Sequence, residues 1–408
     1  MLRSCLWLGW ILATSAVCGN SQAASAPEWT ATWGAAQTKA YGDDALTGQT
    51  LEGATLRQVM HISIGADRLQ LVLSNAFGEG QLVLRSVKVG KAVAGKPGAV
   101  EPGSQVEVTF NERKGVSIPA GAEYLSDPIE QKAAPLSDVV VTMLIDTVPA
   151  TLTFHAGSRA TSFLLPGDHL ADTQFASPRT FAHWYFLAGI EAERKTPSSA
   201  VVTLGDSITD GHGATTDGND RWPDVLAMRL AAKGIGVINE GVGGNRILLD
   251  GIGPNALARF ERDVLTPTGV RYLMVLEGIN DLGELDRTVE HSQEVHDALL
   301  EQLKAAFLQL ANRAHAHGIR VCVGTVTPFV GSEYYHPSAR SEADRQKLNR
   351  WIRESQLSDM VIDFDSFLRD PTKPDRLAPE FDSGDHLHPN PAGFRRMAEA
   401  IPMGFFAQ

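Results

Sequence analysis

The stretch Val201-Val-Thr-Leu-Gly-Asp-Ser-Ile-Thr-Asp-Gly211 decides the fold. Its first four residues read as a strand, Gly205 permits a tight turn, and Ser207 then stands where a strand hands over to a helix. Downstream the same rhythm recurs. Trp222 to Lys233 has a helical pattern and Gly236-Val-Ile-Asn239 is strand-like. Tyr272 to Glu277, Ile319 to Val326 and Met360 to Phe364 are further strands, separated by helical stretches at Gln293 to His317 and near Glu342 to Glu354; Pro391 to Ile401 closes the series as a final helix. Near-continuous apolar strands alternating with helices specify a parallel sheet buried on both faces, an α/β domain.

Upstream the pattern differs. From about Glu28 to Thr180 short β-branched runs, such as Met60-His-Ile-Ser-Ile64, Leu69 to Leu73, Val106 to Phe110, Val139 to Ile145 and Thr151 to Phe154, alternate with Gly, Pro and Asp turns. That spacing predicts an all-β, jelly-roll-like sandwich. Glu191 to Ser199 has linker composition, so the expected organisation is a β-sandwich over 27–190 and an α/β domain over 196–408. At the start, Arg3, the apolar run Leu6 to Val17 and Ser21-Gln-Ala23 form a signal-peptide pattern over 1–23. The run is shorter than the ~20 residues a spanning helix needs, and Val17 is too bulky for a lipoprotein signal that would anchor Cys18. The expectation is an exported chain, periplasmic or secreted, with no integral membrane span.

Composition sets further bounds. The 408 residues are 43% hydrophobic and 21% charged, which is globular, and the formal charge of −12 with no basic block gives nucleic acid no electrostatic purchase. Once the signal has left with Cys5 and Cys18, Cys322 is alone in an apolar strand and reads as an inert buried thiol.

In an open parallel sheet ligands bind beyond the carboxyl ends of the strands, and four such loops carry suggestive residues. The first holds Ser207, a nucleophile or a helix cap. The second, Asn239-Glu-Gly-Val-Gly-Gly-Asn-Arg246, brings glycine N–H groups close to a substrate oxygen or simply turns. The third, Glu277-Gly-Ile-Asn-Asp281, offers the Asn280 amide, and Glu277 is a charge at the end of a buried strand, with a contact near the cleft its one assignable role. The last, Asp382-Ser-Gly-Asp-His-Leu-His-Pro389, places Asp385 three residues before His388, where both can meet on one turn; His386 has Ser383 at that spacing and lacks a matching acid. No other His/Glu pair completes a metal site around Asp385, His386 and His388. His315 and His317, near the end of the long helix, suit its C-terminal dipole. Together the loops supply a serine, a base, an orienting acid and oxyanion donors in the Ser207 and Gly244 N–H groups and the Asn280 side chain. Gly251 to Ala256 loosely fits a dinucleotide motif, but no strand precedes it.

The blocks Gly205-Asp-Ser-Ile208, Gly244-Asn245, Gly278-Ile-Asn-Asp281 and Asp385-His-Leu-His388 resemble the four signature blocks of the SGNH, or GDSL-like, hydrolases. The resemblance implies a flavodoxin-like three-layer α/β/α fold and a serine esterase, with Ser207 as nucleophile, Gly244 and Asn280 as oxyanion donors, Asp385 as acid and His388 as base, and no metal or cofactor. Asn219 to Asp224, Gly243 to Leu248, Leu56-Arg-Gln and Ser74 to Gly78 are similar to a secreted two-domain, acetylxylan-esterase-like subfamily. That implies an ester substrate, acylated polysaccharide or oligosaccharide. Two rival readings are a lipase or phospholipase acting on long acyl chains, and a carbohydrate-binding protein with an inactive hydrolase domain.

Overall fold

The computed structural model describes residues 28–46 and 51–407; the signal-peptide pattern over 1–23 lies outside them. Five parallel strands form the central sheet of the second half. Their spatial order is Ile235–Gly241, Ser199–Gly205, Val270–Leu276, Arg320–Gly324, Met360–Ile362, or 2-1-3-4-5 by chain order. This is the flavodoxin-like doubly wound order, and its reversal point lies beside the strand that carries the Ser207 turn. All seven residues of Ser199–Gly205 are buried, as a strand covered by helices on both faces requires. Trp222–Leu230 packs with Pro391–Ala400, while Gln293–Ala316 packs with Ala339–Glu354 and with Ala256–Phe260.

The first half is β-rich and antiparallel. One sheet orders Glu28–Gly34, Leu187–Arg194, Arg68–Ser74 and Glu123–Leu125; a larger one is built on Ala54–Ile62, Ser137–Thr147 and Leu82–Lys91. Strand alternation explains its layers. Val139, Val141, Met143 and Ile145 enter the main β core, while Val140 points the other way to pack with Val59 and Val100. The linker expectation is corrected here. Glu191 to Arg194 belong to the strand Leu187–Arg194, paired on both sides, which leaves Lys195 to Ser198 as the connection. Linker-like composition misled because six of that strand's eight residues are charged or small, and its only large apolar residues are the buried Leu187 and Ile190.

The two halves meet along the edge of the parallel sheet. Ile235–Gly241 is its outer strand, and an open edge there would leave backbone groups unpaired. The β-rich half covers it: the Val237 N–H donates to Ser63 Oγ at 2.9 Å, and Ala35 forms a parallel bridge with Asn239. Ala31 belongs to the hydrophobic core of the α/β half although it lies on the first β-strand. Gly236 makes this approach possible, because a Cβ there would sit 2.3 Å from the Ala31 carbonyl oxygen. Gly236→Ala is therefore expected to destabilise the chain by about 1–3 kcal/mol, the usual cost of overpacking. Urea unfolding measures it, and an unchanged midpoint would show that the two halves are not in tight contact there.

Candidate active site

Ser207 opens a four-residue helix, Ser207–Asp210, but it does not cap it. Asp206 does, its Oδ1 accepting from the Ile208 N–H at 2.9 Å, which leaves the serine hydroxyl free. The turn needs glycine at 205, since a Cβ would lie 2.2 Å from Thr209 Oγ1 and 2.7 Å from the Leu276 carbonyl. The serine Oγ lies 2.8 Å from His388 Nε2, and His388 Nδ1 lies 2.6 Å from Asp385 Oδ2. The carboxylate can only accept, so the ring carries its proton on Nδ1 and presents a lone pair to the serine hydroxyl.

Asp385 is fixed by more than the histidine. Its Oδ1 accepts from the backbone N–H groups of His388 and Leu387 and from Ser383 Oγ. Partial burial pushes this carboxyl up, but the hydrogen bonds from the His388 ring and from those backbone groups outweigh it and hold Asp385 well below the usual carboxylate range. It is ionised wherever His388 is a working base.

The oxyanion side is built from the second and third loops. Gly244 takes a left-handed backbone conformation (φ +69°) that non-glycine residues rarely adopt. Asn280 donates from Nδ2 to the Asn245 carbonyl at 2.6 Å, while its Oδ1 accepts from the Tyr335 hydroxyl; this fixes the amide orientation and leaves the second Nδ2 proton for the cleft. Asp281 ties the same loops together by accepting from the Ile247 and Leu248 N–H groups. Beneath them Arg259, fully buried, donates to the carbonyls of Gly205 and Glu240, to Asn245 Oδ1 and to Asp263.

Ser207, Gly244, Asn280, Asp385 and His388 thus line one cleft of about 810 Å³, with Arg246, Glu284, Arg287, Glu333 and Tyr334 also in its wall. Two expectations need correction. His386 does have an acid, since its Nδ1 meets Asp382 Oδ2, four residues back rather than three; that ring is half exposed, and the Ser207 hydroxyl meets His388. Glu277 has no contact with the cleft. It is fully buried behind the site, neither carboxylate oxygen has a hydrogen-bond partner, and Arg259 is 3.6 Å away. Burial, reinforced by Asp206, pushes Glu277 well above the usual carboxyl range, and burial likewise pushes Asp206 up to about 7.

Ligand atoms of His212, Asp385 and His388 lie within 4.8 Å of one another, the distance a shared cation would need. Both His388 nitrogens are already engaged, one by Asp385 and one by Ser207, so the donor set suits proton transfer rather than metal binding. His212 and Arg259 carried no signal in the reading of motifs, although His212 directly follows the serine block. His155, from the β-rich half, was equally silent. It reaches Asp210 on the serine helix with Nε2 at 2.9 Å from Oδ1, while its Nδ1 lies 2.8 Å from the Ala36 carbonyl.

Residues 203–396 match the GDSL-like lipase/acylhydrolase family, so the part of the chain that holds the cleft carries a domain of that family, whose activity class is carboxylic-ester hydrolysis. No protein of curated function matches the chain. Among solved structures, the chain is similar to a GDSL-like lipase from Bacteroides thetaiotaomicron (17% identity, 51% of this chain and 88% of that one, TM-score 0.36). It is similar also to a member of the lipolytic G-D-S-L family from Veillonella parvula (18%, 50% and 96%, 0.36) and to an acetyl xylan esterase (21%, 49% and 96%, 0.36).

The buried acid gives a pH prediction. Glu277 keeps its proton in the folded chain above the pH, about 4.3, at which an exposed glutamate loses it. The folded state then binds more protons than the unfolded one, so stability falls as pH rises through that window. Glu277→Gln should remove this slope: chemical unfolding near pH 4 matches the unsubstituted chain, and near pH 8 the variant is the more stable. Equal slopes in both would mean that Glu277 is ionised in the fold.

Proposed function

We propose that the chain is an exported serine carboxylic-ester hydrolase that removes short acyl groups, acetyl above all, from carbohydrate such as xylan. The observation that carries the esterase reading is the hydrogen-bonded series Ser207 Oγ, His388, Asp385 opening onto a cleft shared with Gly244 and Asn280. His388 Nε2 takes the proton of Ser207 as Oγ bonds to the ester carbonyl carbon. The oxyanion is held by the N–H groups of Ser207 and Gly244 and by Asn280 Nδ2, donors worth roughly 2.7–4 kcal/mol each at such sites. The C–O bond to the alcohol then breaks, the alcohol leaves with the proton from His388, and an acyl-serine remains. Water, deprotonated by His388, attacks that acyl group, and the carboxylic acid departs as the proton returns to the serine. Asp385 holds the ring and takes no proton.

Two features support a carbohydrate leaving group. The cleft wall is polar and charged at Arg246, Glu284, Arg287 and Glu333, which suits hydroxyls, and Tyr334 presents an exposed ring beside Arg287. The signal-peptide pattern supports export, and no helix among the described residues is long and apolar enough to cross a membrane. The lipase reading has one observation in its favour, the exposed Leu249 and Ile252 in the loop beside Gly244.

Initial rates on p-nitrophenyl esters from acetate to palmitate, with acetate release from acetylated xylan, separate these readings. We expect preference for acetate, and loss of at least 10³-fold in kcat for Ser207→Ala and about 10⁴-fold for Asp385→Asn. A palmitate preference would favour the lipase reading. Full activity in Ser207→Ala would overturn the mechanism, and an unsubstituted chain inert on every ester would return the carbohydrate-binding reading.

A further inference from the structure

His212, a polar side chain of the cleft wall beside the triad, has no part in the mechanism above. His212 lies just past the serine helix, its N–H bonded to the Ser207 carbonyl, and its ring sits against that of His388 with centroids 4.1 Å apart and planes tilted by 40°. Its Nε2 is 3.7 Å from Asp385 Oδ2. Its Nδ1 is 3.2 Å from Arg159 Nη2. Arg159 belongs to the β-rich half, in the turn after the strand Thr153–His155, and is itself at positive φ. That turn is clamped from the other side: Asp217 accepts from the Thr161 N–H and hydroxyl at 2.7 and 2.6 Å, and the Asp217 N–H donates to the Arg159 carbonyl.

We propose that His212 is a positioning residue for the His388–Asp385 pair, and that Arg159, delivered by the β-rich half, sets its tautomer. The proposal rests on the serine-esterase reading. A guanidinium can only donate, so His212 Nδ1 holds a lone pair and the proton is on Nε2, turned toward Asp385. At 3.7 Å this is an electrostatic contact rather than a hydrogen bond, and it favours the ionised Asp385 that orients His388. The neutral ring also presents its face to His388 at the moment His388 becomes cationic, which a second imidazolium in that place would oppose.

The groups facing His212 are His388, Arg159, Asp385 and Asp210. Burial first, then His388 and Arg159, push its imidazole down to about 4, against the opposite pull of the two aspartates. His212 is therefore neutral while His388 works. With Arg159 gone, one of the groups that hold the His212 imidazole down is removed, so that ring takes up a proton at higher pH, and an imidazolium there opposes the positive charge that forms on His388 during the reaction.

The test is the pH dependence of kcat and KM on p-nitrophenyl acetate for the full chain and for Arg159→Met, His212→Phe, the double variant and Ser207→Ala. Arg159→Met should move the acid limb up by about half a pH unit or more with KM little changed. The double variant, which lacks the extra titrating ring, should bring the limb back. His212→Phe keeps the stacked ring but loses the N–H, and kcat should fall about tenfold at every pH with KM within twofold. An acid limb unmoved in Arg159→Met, even with a lowered Tm, would overturn the proposal, as would a displacement that persists in the double variant. Activity retained in Ser207→Ala would overturn the esterase reading instead.

Discussion

The serine turn and the oxyanion loop of the cleft are both held by the buried guanidinium of Arg259. It reaches the carbonyl ends of two adjacent parallel strands, at Gly205 and Glu240, and the side chain of Asn245 in the oxyanion loop. Parallel strands end with unpaired carbonyls, and a planar fork of donors is the side chain best shaped to gather several of them at once. The serine turn and the oxyanion loop thus share one fixed point beneath them. The cost is a buried charge, which Asp263 offsets at 2.9 Å. The pairing with Asp263 leaves Glu277, also buried, to do without its charge.

The chemistry was legible in the sequence because it is written in short contiguous blocks. Asp385 and His388 are three residues apart, Ser207 follows its strand directly, and the sheet order brings those loop ends to one place. Nothing local distinguishes Arg259 from any surface arginine on a helix. Its role depends on two loops that only the folded sheet brings within its reach. The same holds for Tyr335, which fixes the Asn280 amide from 55 residues away. His386 was misread because a side chain four positions back reaches as well as one three back when the intervening residues turn sharply. Glu277 was misread because a charged residue at a strand end usually marks solvent, and here it marks a carboxyl kept neutral by burial.

The β-rich half was legible as a class from its strand spacing, and its relation to the site was not. No motif marks His155 or Arg159, since both act through contacts across a junction whose geometry arises from packing. That junction places His155 against Asp210 and Arg159 against His212, both on or beside the serine helix. The cleft itself is lined by the α/β half, and the β-rich half braces it from behind through these two contacts.

The covered strand edge bears on how this chain can be divided. By connectivity the halves part at Lys195 to Ser198, and a cut there looks harmless. Energetically the border lies elsewhere, because Ser63, Ala31 and Ala35 complete the outer strand Ile235–Gly241 from the other side. An α/β fragment beginning at the connection would carry a bare, fully formed strand edge, the feature through which sheet proteins aggregate. The unit that keeps this edge covered is both halves together.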